Sequence, residues 1–352
     1  MSGILSLVGH TPLLKLERFL GHTNINLYAK LELLNPGGSI KDRPAVNMLM
    51  EAWQQGEIDQ HTTIIESSSG NLGIGLAQAC AYMGLKFICV TDTRSTKVNC
   101  HIIQAYGADL DLVTEPDPEE GTLLAARLKR VQQLLDSIPN SFNCNQYANR
   151  NNPLAHHQTI REILDGMDQR VDYLFCATST CGTLRGCADY LAQHGIKRTK
   201  LIAVDAEGSV IFGDKAKPRL IPGHGAGVVP AHFRFGLEDT HVLVSDLDCV
   251  VGCHRLLQSE AILAGGSSGG IMSAILKIQD QLAPRSNCVA IICDRGERYL
   301  DTIYNDTWIT EHFGDVAHLW QSASLVPFSC EIQQKFQEIQ NGIRSSDVAS
   351  GR

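Results

Sequence analysis

A lysine at the start of a helix can act as a nucleophile or a base, and one stretch of this chain supplies one: Asn35-Pro36-Gly37-Gly38-Ser39-Ile40-Lys41-Asp42-Arg43. Pro36 and the two glycines make a turn that accepts unusual dihedrals. Ser39 is expected to cap the helix that follows, and Pro44 falls in its first turn, where a missing N–H costs little. Ala45, Met48, Leu49 and Ala52 then recur at helical spacing. The helix macrodipole opposes a cation at this end and lowers its proton affinity, which suits an amine that works in its neutral form. A capped surface helix with a solvated Lys41 has the same local signature, so the surroundings decide.

Three more loops place polar groups where a helix begins. Glu66-Ser67-Ser68-Ser69-Gly70-Asn71-Leu72-Gly73 follows an apolar run, and its hydroxyls and free amides suit a carboxylate. Ser179-Thr180-Cys181-Gly182-Thr183 offers three hydroxyls and successive amides, a cradle for phosphate. In Ala264-Gly265-Gly266-Ser267-Ser268-Gly269-Gly270 the glycines let backbone approach a flat ligand, and Ser267 can hydrogen-bond it. The second loop lacks G-x-G-x-x-G spacing, and the third lacks the Gly-Lys-Ser/Thr of a nucleoside-triphosphate loop. Each loop alone is an ordinary helix start; together with the lysine they form a constellation.

The elements that must position these loops alternate. Apolar runs of strand length lie at 63–66, 87–91, 110–113, 173–177, 201–205 and 289–294, with helical patterns near 71–83, 95–106, 121–137, 183–194 and 269–282. Continuous apolar strands separated by helices imply an α/β protein with parallel sheets covered on both faces. Ligands then bind at the C-terminal ends of strands. The Asn-rich linker 140–153 marks a domain boundary. We expect a smaller N-terminal α/β domain over 35–146, a larger one from 1–34 plus 147–315, and a partly disordered tail over 316–352 in which Ile332, Phe336 and Ile339 offer one short amphipathic helix.

With 352 residues, 43% hydrophobic and 19% charged, the chain has ample core for a soluble globular protein. A net charge of −8 and the lack of a basic block interleaved with aromatics argue against nucleic acid as a partner. No stretch approaches 18 apolar residues, and Met1 to Leu7 lacks a signal-like pattern, so a cytoplasmic protein without membrane contact is expected. None of the 12 cysteines forms C-x-x-C, which favours buried reduced thiols over a metal site.

These residues resemble the β-family of pyridoxal-5′-phosphate enzymes, fold type II, which includes cysteine synthase, cystathionine β-synthase and threonine dehydratase. The resemblance covers roughly residues 5 to 310. It runs from Val8-Gly9-His10-Thr11-Pro12-Leu13 through Lys30-Leu31-Glu32 and the lysine loop to Asp294-Arg295-Gly296-Glu297-Arg298-Tyr299. It implies a tryptophan synthase β-like fold with the active site between two domains, and a homodimer. It also implies that Lys41 forms the Schiff base with pyridoxal phosphate, that Ser68, Ser69, Gly70, Asn71 and Leu72 bind the substrate carboxylate, and that Asn71 bonds the phenolic oxygen. Ser179, Thr180, Cys181, Gly182 and Thr183 would hold the phosphate, and Ser267 the pyridine nitrogen.

Within the family the chain most resembles the N-(2-amino-2-carboxyethyl)-L-glutamate synthases of staphyloferrin B-type and other 2,3-diaminopropionate routes in siderophore biosynthesis. Glu66 to Ile74, Asn145 to Asn149, Asp205 to Lys215 and Tyr304 to Trp308 carry this. The resemblance implies β-elimination of phosphate from O-phospho-L-serine to an α-aminoacrylate, then addition of L-glutamate; cysteine synthase is the alternative. Cysteine synthases usually have Thr where this chain has Leu72 and Gly where it has Ser179. Cys181 and Thr159-Ile160-Arg161 also depart from the family pattern and put local loop geometry in doubt. Sulfide needs almost no pocket, whereas an amino acid needs polar anchors. Tyr147 and Ser179 are the first candidates to hold glutamate, with Arg127 and Arg185 behind them; Arg127 is expected on a solvated helix face. His156 and His157 are expected to pack at the domain junction.

Overall fold

The computed structural model of the chain describes residues 3–21, 23–68, 70–213 and 215–321. A 3-10 turn over Gly3–Leu7 precedes an antiparallel pair, β1 (Leu13–Lys15) and β2 (Asn26–Leu31). The lysine loop leads into α1 (Asp42–Gln54). Alternating units follow: β3 (Thr63–Ser67), α2 (Asn71–Met83), β4 (Lys86–Asp92), α3 (Lys97–Ala105), β5 (Asp109–Val113), α4 (Leu123–Ser137) and β6 (Ser141–Phe142). The next run is α5 (Asn151–Gly166), β7 (Tyr173–Ala177), α6 (Gly182–Gln193) and β8 (Lys200–Ala206). After a long loop come β9 (Thr240–Val244), α7 (Asp246–Glu260), α8 (Gly266–Ile278), β10 (Asn287–Ile292), α9 (Asp306–Phe313) and α10 (His318–Gln321).

These elements make two sheets. The smaller has order β5-β4-β3-β6 and is parallel throughout; the larger has order β1-β2-β10-β7-β8-β9 and is parallel except for β1. The α/β class with flanking helices follows from burial on both faces. Along β3, Ile64 packs into the cluster under α1 and α2, while its neighbour Ile65 packs with Val90, Val131 and Leu134 under α4. Successive side chains of a strand point to opposite faces, so both must be apolar. Each such burial contributes about 1.5–3 kcal/mol.

The structure differs from the sequence expectation at several points. Ser39 is not the N-cap of α1: Lys41 is, with no side-chain cap, and Ser39 instead bridges to Asp294 and accepts the Lys41 N–H on its Oγ at 3.2 Å. Residues near the N-terminus do not all pack with the larger sheet, because Leu5 and Val8 join the core of the smaller one. The linker 140–153 holds β6 and the first turn of α5. At the other end α10 docks, with Trp320 stacked on His254 of α7 at a centroid distance of 4.4 Å. Ile332, Phe336 and Ile339 lie outside the described residues. Among the described residues no helix is long and apolar enough to cross a membrane, and no cluster of His, Cys, Asp and Glu gathers as a metal site. Most cysteines there are buried free thiols.

Candidate active site

Lys41 stands where the C-terminal edges of the two sheets face each other. Its loop is pinned to the end of β10: Ile40 N–H donates to Cys293 O at 2.8 Å, and Arg295 N–H donates to Gly38 O at 3.2 Å. Asp42 closes the turn by accepting the Gly37 N–H on Oδ2 at 2.6 Å, and burial raises its carboxyl to about 7. Burial also pushes the Lys41 amine below its ordinary value, against the opposing pull of Cys293, Asp294 and Cys181. Desolvation is thus the leading cause of the shift expected from the helix dipole. Among the described residues the Lys41 Nζ has no hydrogen-bond or ion-pair partner. A partly buried, unengaged amine whose proton affinity is lowered fits a Schiff-base partner.

The second loop opens α2. Ser68 Oγ accepts the Gly73 N–H at 2.9 Å and the Gly70 N–H at 3.3 Å, so it shapes the turn while Gly70 takes the N-cap position. Ser69 lies outside the described residues. The Leu72 side chain is in the core of the smaller unit, which leaves its backbone amide as the group a ligand can meet. Asn71 faces the end of β10, where its Nδ2 donates to Asp294 Oδ2 at 2.8 Å.

The third loop joins β7 to α6. Cys181, at φ +61°, takes the left-handed conformation at the helix N-cap. That costs a non-glycine residue about 1 kcal/mol. The first-turn amides of α6 have no helical acceptors. Thr180 Oγ1 accepts the Gly182 N–H at 3.3 Å and is approached by Asn152 Nδ2 at 3.5 Å. Thr183 Oγ1 lies 3.3 Å from His156 Nε2, whose other ring nitrogen meets Thr159 Oγ1 at the same distance. Burial holds His156 neutral, so this histidine buttresses the cradle from α5. His157 packs edge-on against Tyr190.

In the fourth loop, protein atoms account for the glycines more than a flat ligand does. A Cβ on Gly269 would stand 2.1 Å from Cys249 O, where α8 crosses α7. The Ser267 hydroxyl meets the Cys293 thiol, whose proton affinity burial raises, beside Lys41. Ser268 is engaged otherwise, accepting the Cys293 N–H at 2.9 Å.

Arg127 corrects an expectation. Its side chain is buried, because Leu123, Arg127, Val131 and Leu134 form the inward stripe of α4; that spacing was the available signal. Its Nε lies 3.1 Å from Asp92 Oδ2 as an ion pair without hydrogen-bond geometry. Its terminal nitrogens have no hydrogen-bond partner among the described residues. Tyr147 is buried nearby, and Arg127, Glu66 and Asp92 are the groups that act on its hydroxyl. Burial raises the Glu66 carboxyl to about 8, which leaves Asp92 as the stronger partner of the guanidinium. Arg185 is drawn elsewhere, to Asp189 and the His232 carbonyl. Sequence reading missed Asp294, Arg298 and Asn152 as parts of the site, although the first two stand in the stretch that carries the family resemblance.

A partly buried amine without a bonded partner among the described residues, an amide-and-hydroxyl cradle at a helix start and a hydroxyl beside the lysine together fit pyridoxal phosphate. Residues 4–294 match the sequence pattern of the family described as "Pyridoxal-phosphate dependent enzyme". Among solved structures, the O-acetylserine-dependent cystathionine β-synthase of Helicobacter pylori is 32% identical with a TM-score of 0.80, over 87% of this chain and 99% of that one. The cysteine synthase of Entamoeba histolytica is 31% identical with a TM-score of 0.79, over 86% and 90%. An O-ureido-L-serine synthase is 28% identical with a TM-score of 0.79, over 88% and 98%. The chain belongs to the pyridoxal-phosphate dependent enzymes of fold type II, in the cysteine synthase group.

Proposed function

We propose that this enzyme, a pyridoxal-phosphate-dependent β-replacement catalyst of cysteine synthase type, uses O-phospho-L-serine as donor and L-glutamate as acceptor. The product would be N-(2-amino-2-carboxyethyl)-L-glutamate, a source of 2,3-diaminopropionate for a siderophore or related compound. The observation that carries the acceptor is Arg127: a buried guanidinium whose terminal nitrogens have no hydrogen-bond partner among the described residues, near enough to Tyr147 for its charge to act on that hydroxyl, and paired to Asp92 at the C-terminal end of β4. Sulfide has no use for such an anchor, whereas each carboxylate of glutamate gains a charge-assisted hydrogen bond from one.

When bound, pyridoxal phosphate supplies the electron sink for loss of the α-proton and of the β-substituent. Lys41 would accept the α-proton on its Nζ, whose proton affinity burial lowers. The amides of Gly70, Asn71 and Leu72 hold the donor carboxylate, and the α6 cradle holds the cofactor phosphate. Ser267, a neutral hydroxyl, is the partner for the ring nitrogen. Family members named for cystathionine and for O-ureido-L-serine support the view that products in this group extend beyond cysteine. The ion pair with Asp92 favours the second reading, in which Arg127 is structural and the enzyme is a sulfhydrylase.

A mass-spectrometric assay separates the two. The loaded enzyme is given phosphoserine or acetylserine with glutamate, sulfide or other amino acids. The proposal expects the N-linked glutamate adduct from phosphoserine; efficient cysteine formation with no adduct overturns it.

A further inference from the structure

Asn71 is held at both ends of its amide. Its Nδ2 donates to Asp294 Oδ2 at 2.8 Å, and Arg298 donates from Nη1 to its Oδ1. Between a carboxylate and a guanidinium an amide has one sensible orientation, because reversal would set acceptor against acceptor and donor against donor. One N–H of the amide nitrogen then remains free of both neighbours. The clamp is itself braced. Asp294 Oδ2 also accepts the Tyr299 hydroxyl at 2.5 Å, and Arg298 donates from Nη2 to Gly37 O in the lysine loop. Asp294 is 1% exposed, and its Oδ1 has no hydrogen-bond partner among the described residues. That oxygen fills the space of an absent side chain, since a Cβ on Gly265 would stand 2.1 Å from it.

We propose that Asp294 is a positioning residue which, with Arg298 on the opposite side, fixes the Asn71 amide so that its free N–H meets the phenolic oxygen of bound pyridoxal phosphate. This rests on the assignment of Asn71 to that oxygen. Asp294 touches neither substrate nor cofactor in this role. It acts by removing the amide orientation that would present a carbonyl to an oxygen anion, a contact that repels.

The test is a double-mutant cycle on the cofactor-loaded protein, read by the affinity for pyridoxal phosphate and by the pH midpoint of its visible absorption band. Asp294→Ala is expected to weaken affinity about tenfold, the scale of one buried hydrogen bond, and to shift the midpoint. Asp294→Asn keeps an acceptor oxygen and should restore most of both, with circular dichroism reporting that each variant folds. In an Asn71→Ala background, Asp294→Ala should add little. An equal effect of Asp294→Ala in both backgrounds, or loss of affinity without a midpoint shift, overturns the inference and leaves the Asn71 assignment standing. If Asn71→Ala itself changes neither readout, that assignment fails and the clamp has nothing to position.

Discussion

Arg43 grips Glu32 with two hydrogen bonds, Nε to Oε2 at 2.7 Å and Nη2 to Oε1 at 2.8 Å, and both side chains are shut away from solvent. The pair ties the first turn of α1 to the turn that follows β2, two residues from Lys41. Removing one partner of a buried pair strands the other, which costs about 3–5 kcal/mol. Arg43→Gln should lower the denaturant midpoint accordingly, and Arg43→Lys should recover little of it, because an ammonium cannot reproduce the fork. A midpoint within error of wild type for Arg43→Gln would show that the pair adds nothing to stability.

The same network predicts acid sensitivity. Burial alone would raise Glu162, but hydrogen bonds and charge from Arg43, a hydrogen bond from Lys30 and the His10 N–H hold its carboxyl at about 2. A folded-state value depressed below the ordinary one means stability that is present above about pH 4.5 and lost as pH falls toward 2. The linked amount is about 3 kcal/mol. Urea titrations from pH 6 to pH 2.5 should show that fall in the wild type. In Glu162→Gln, less stable at pH 6, the dependence should flatten.

How far the sequence foretold this depends on what each element buries. β3, β4, β7 and β8 were legible because strands covered on both faces are continuous apolar runs. β2 was not, because Lys30 sits in it, buried, ion-paired to Glu162 and donating to the Thr11 carbonyl. α5 was hidden for a related reason: Asn152, His156 and Thr159 face inward, where they support the β7–α6 loop proposed to hold the cofactor phosphate. β9 is an edge strand with most of its side chains outward. At the site, the loops announced themselves through local turn chemistry. The Asn71, Asp294 and Arg298 clamp did not, since residues more than two hundred positions apart meet only through the order of strands in two sheets.

Glu66 predicts a slope of the opposite sign. Burial raises its carboxyl from the ordinary value to about 8, against backbone N–H groups of Asn145, Gln146 and Ser67 and the Arg127 charge. A raised folded-state value means that the folded protein binds a proton the unfolded chain has released. Stability from this group is complete below about pH 4.5 and declines as pH rises through 8, by at most about 1.4 kcal/mol per pH unit. Glu66→Gln should remove that decline from unfolding measured between pH 6 and 9; an unaltered slope would sink the assignment.

Lys41→Ala tests the lysine directly. With no primary amine at the end of α1, protein given pyridoxal phosphate should show no visible band of a protein-bound Schiff base, while far-UV dichroism stays that of the wild type. Activity in the adduct assay should fall by about a hundredfold or more, the range for loss of a general base. Persistence of the band would move the Schiff base to another lysine.

Arg127 decides the acceptor. Arg127→Ala removes the guanidinium that the glutamate carboxylate is proposed to meet, and a charge-assisted bond of about 1.5–3 kcal/mol corresponds to a ten- to hundredfold rise in KM for glutamate. The same change leaves Asp92 buried without its cation, so stability should also drop. Asp92→Asn together with Arg127→Gln removes both charges and separates the two effects: stability should return while the glutamate KM stays high. Tyr147→Phe should act in the same direction and more weakly, as one neutral donor is lost. Phosphoserine turnover to pyruvate without acceptor should be unchanged in all of them, because the proposal gives the elimination half to Lys41 and the cofactor loops. If KM for glutamate recovers in the double variant along with stability, Arg127 is a brace for β4 and the acceptor is held elsewhere.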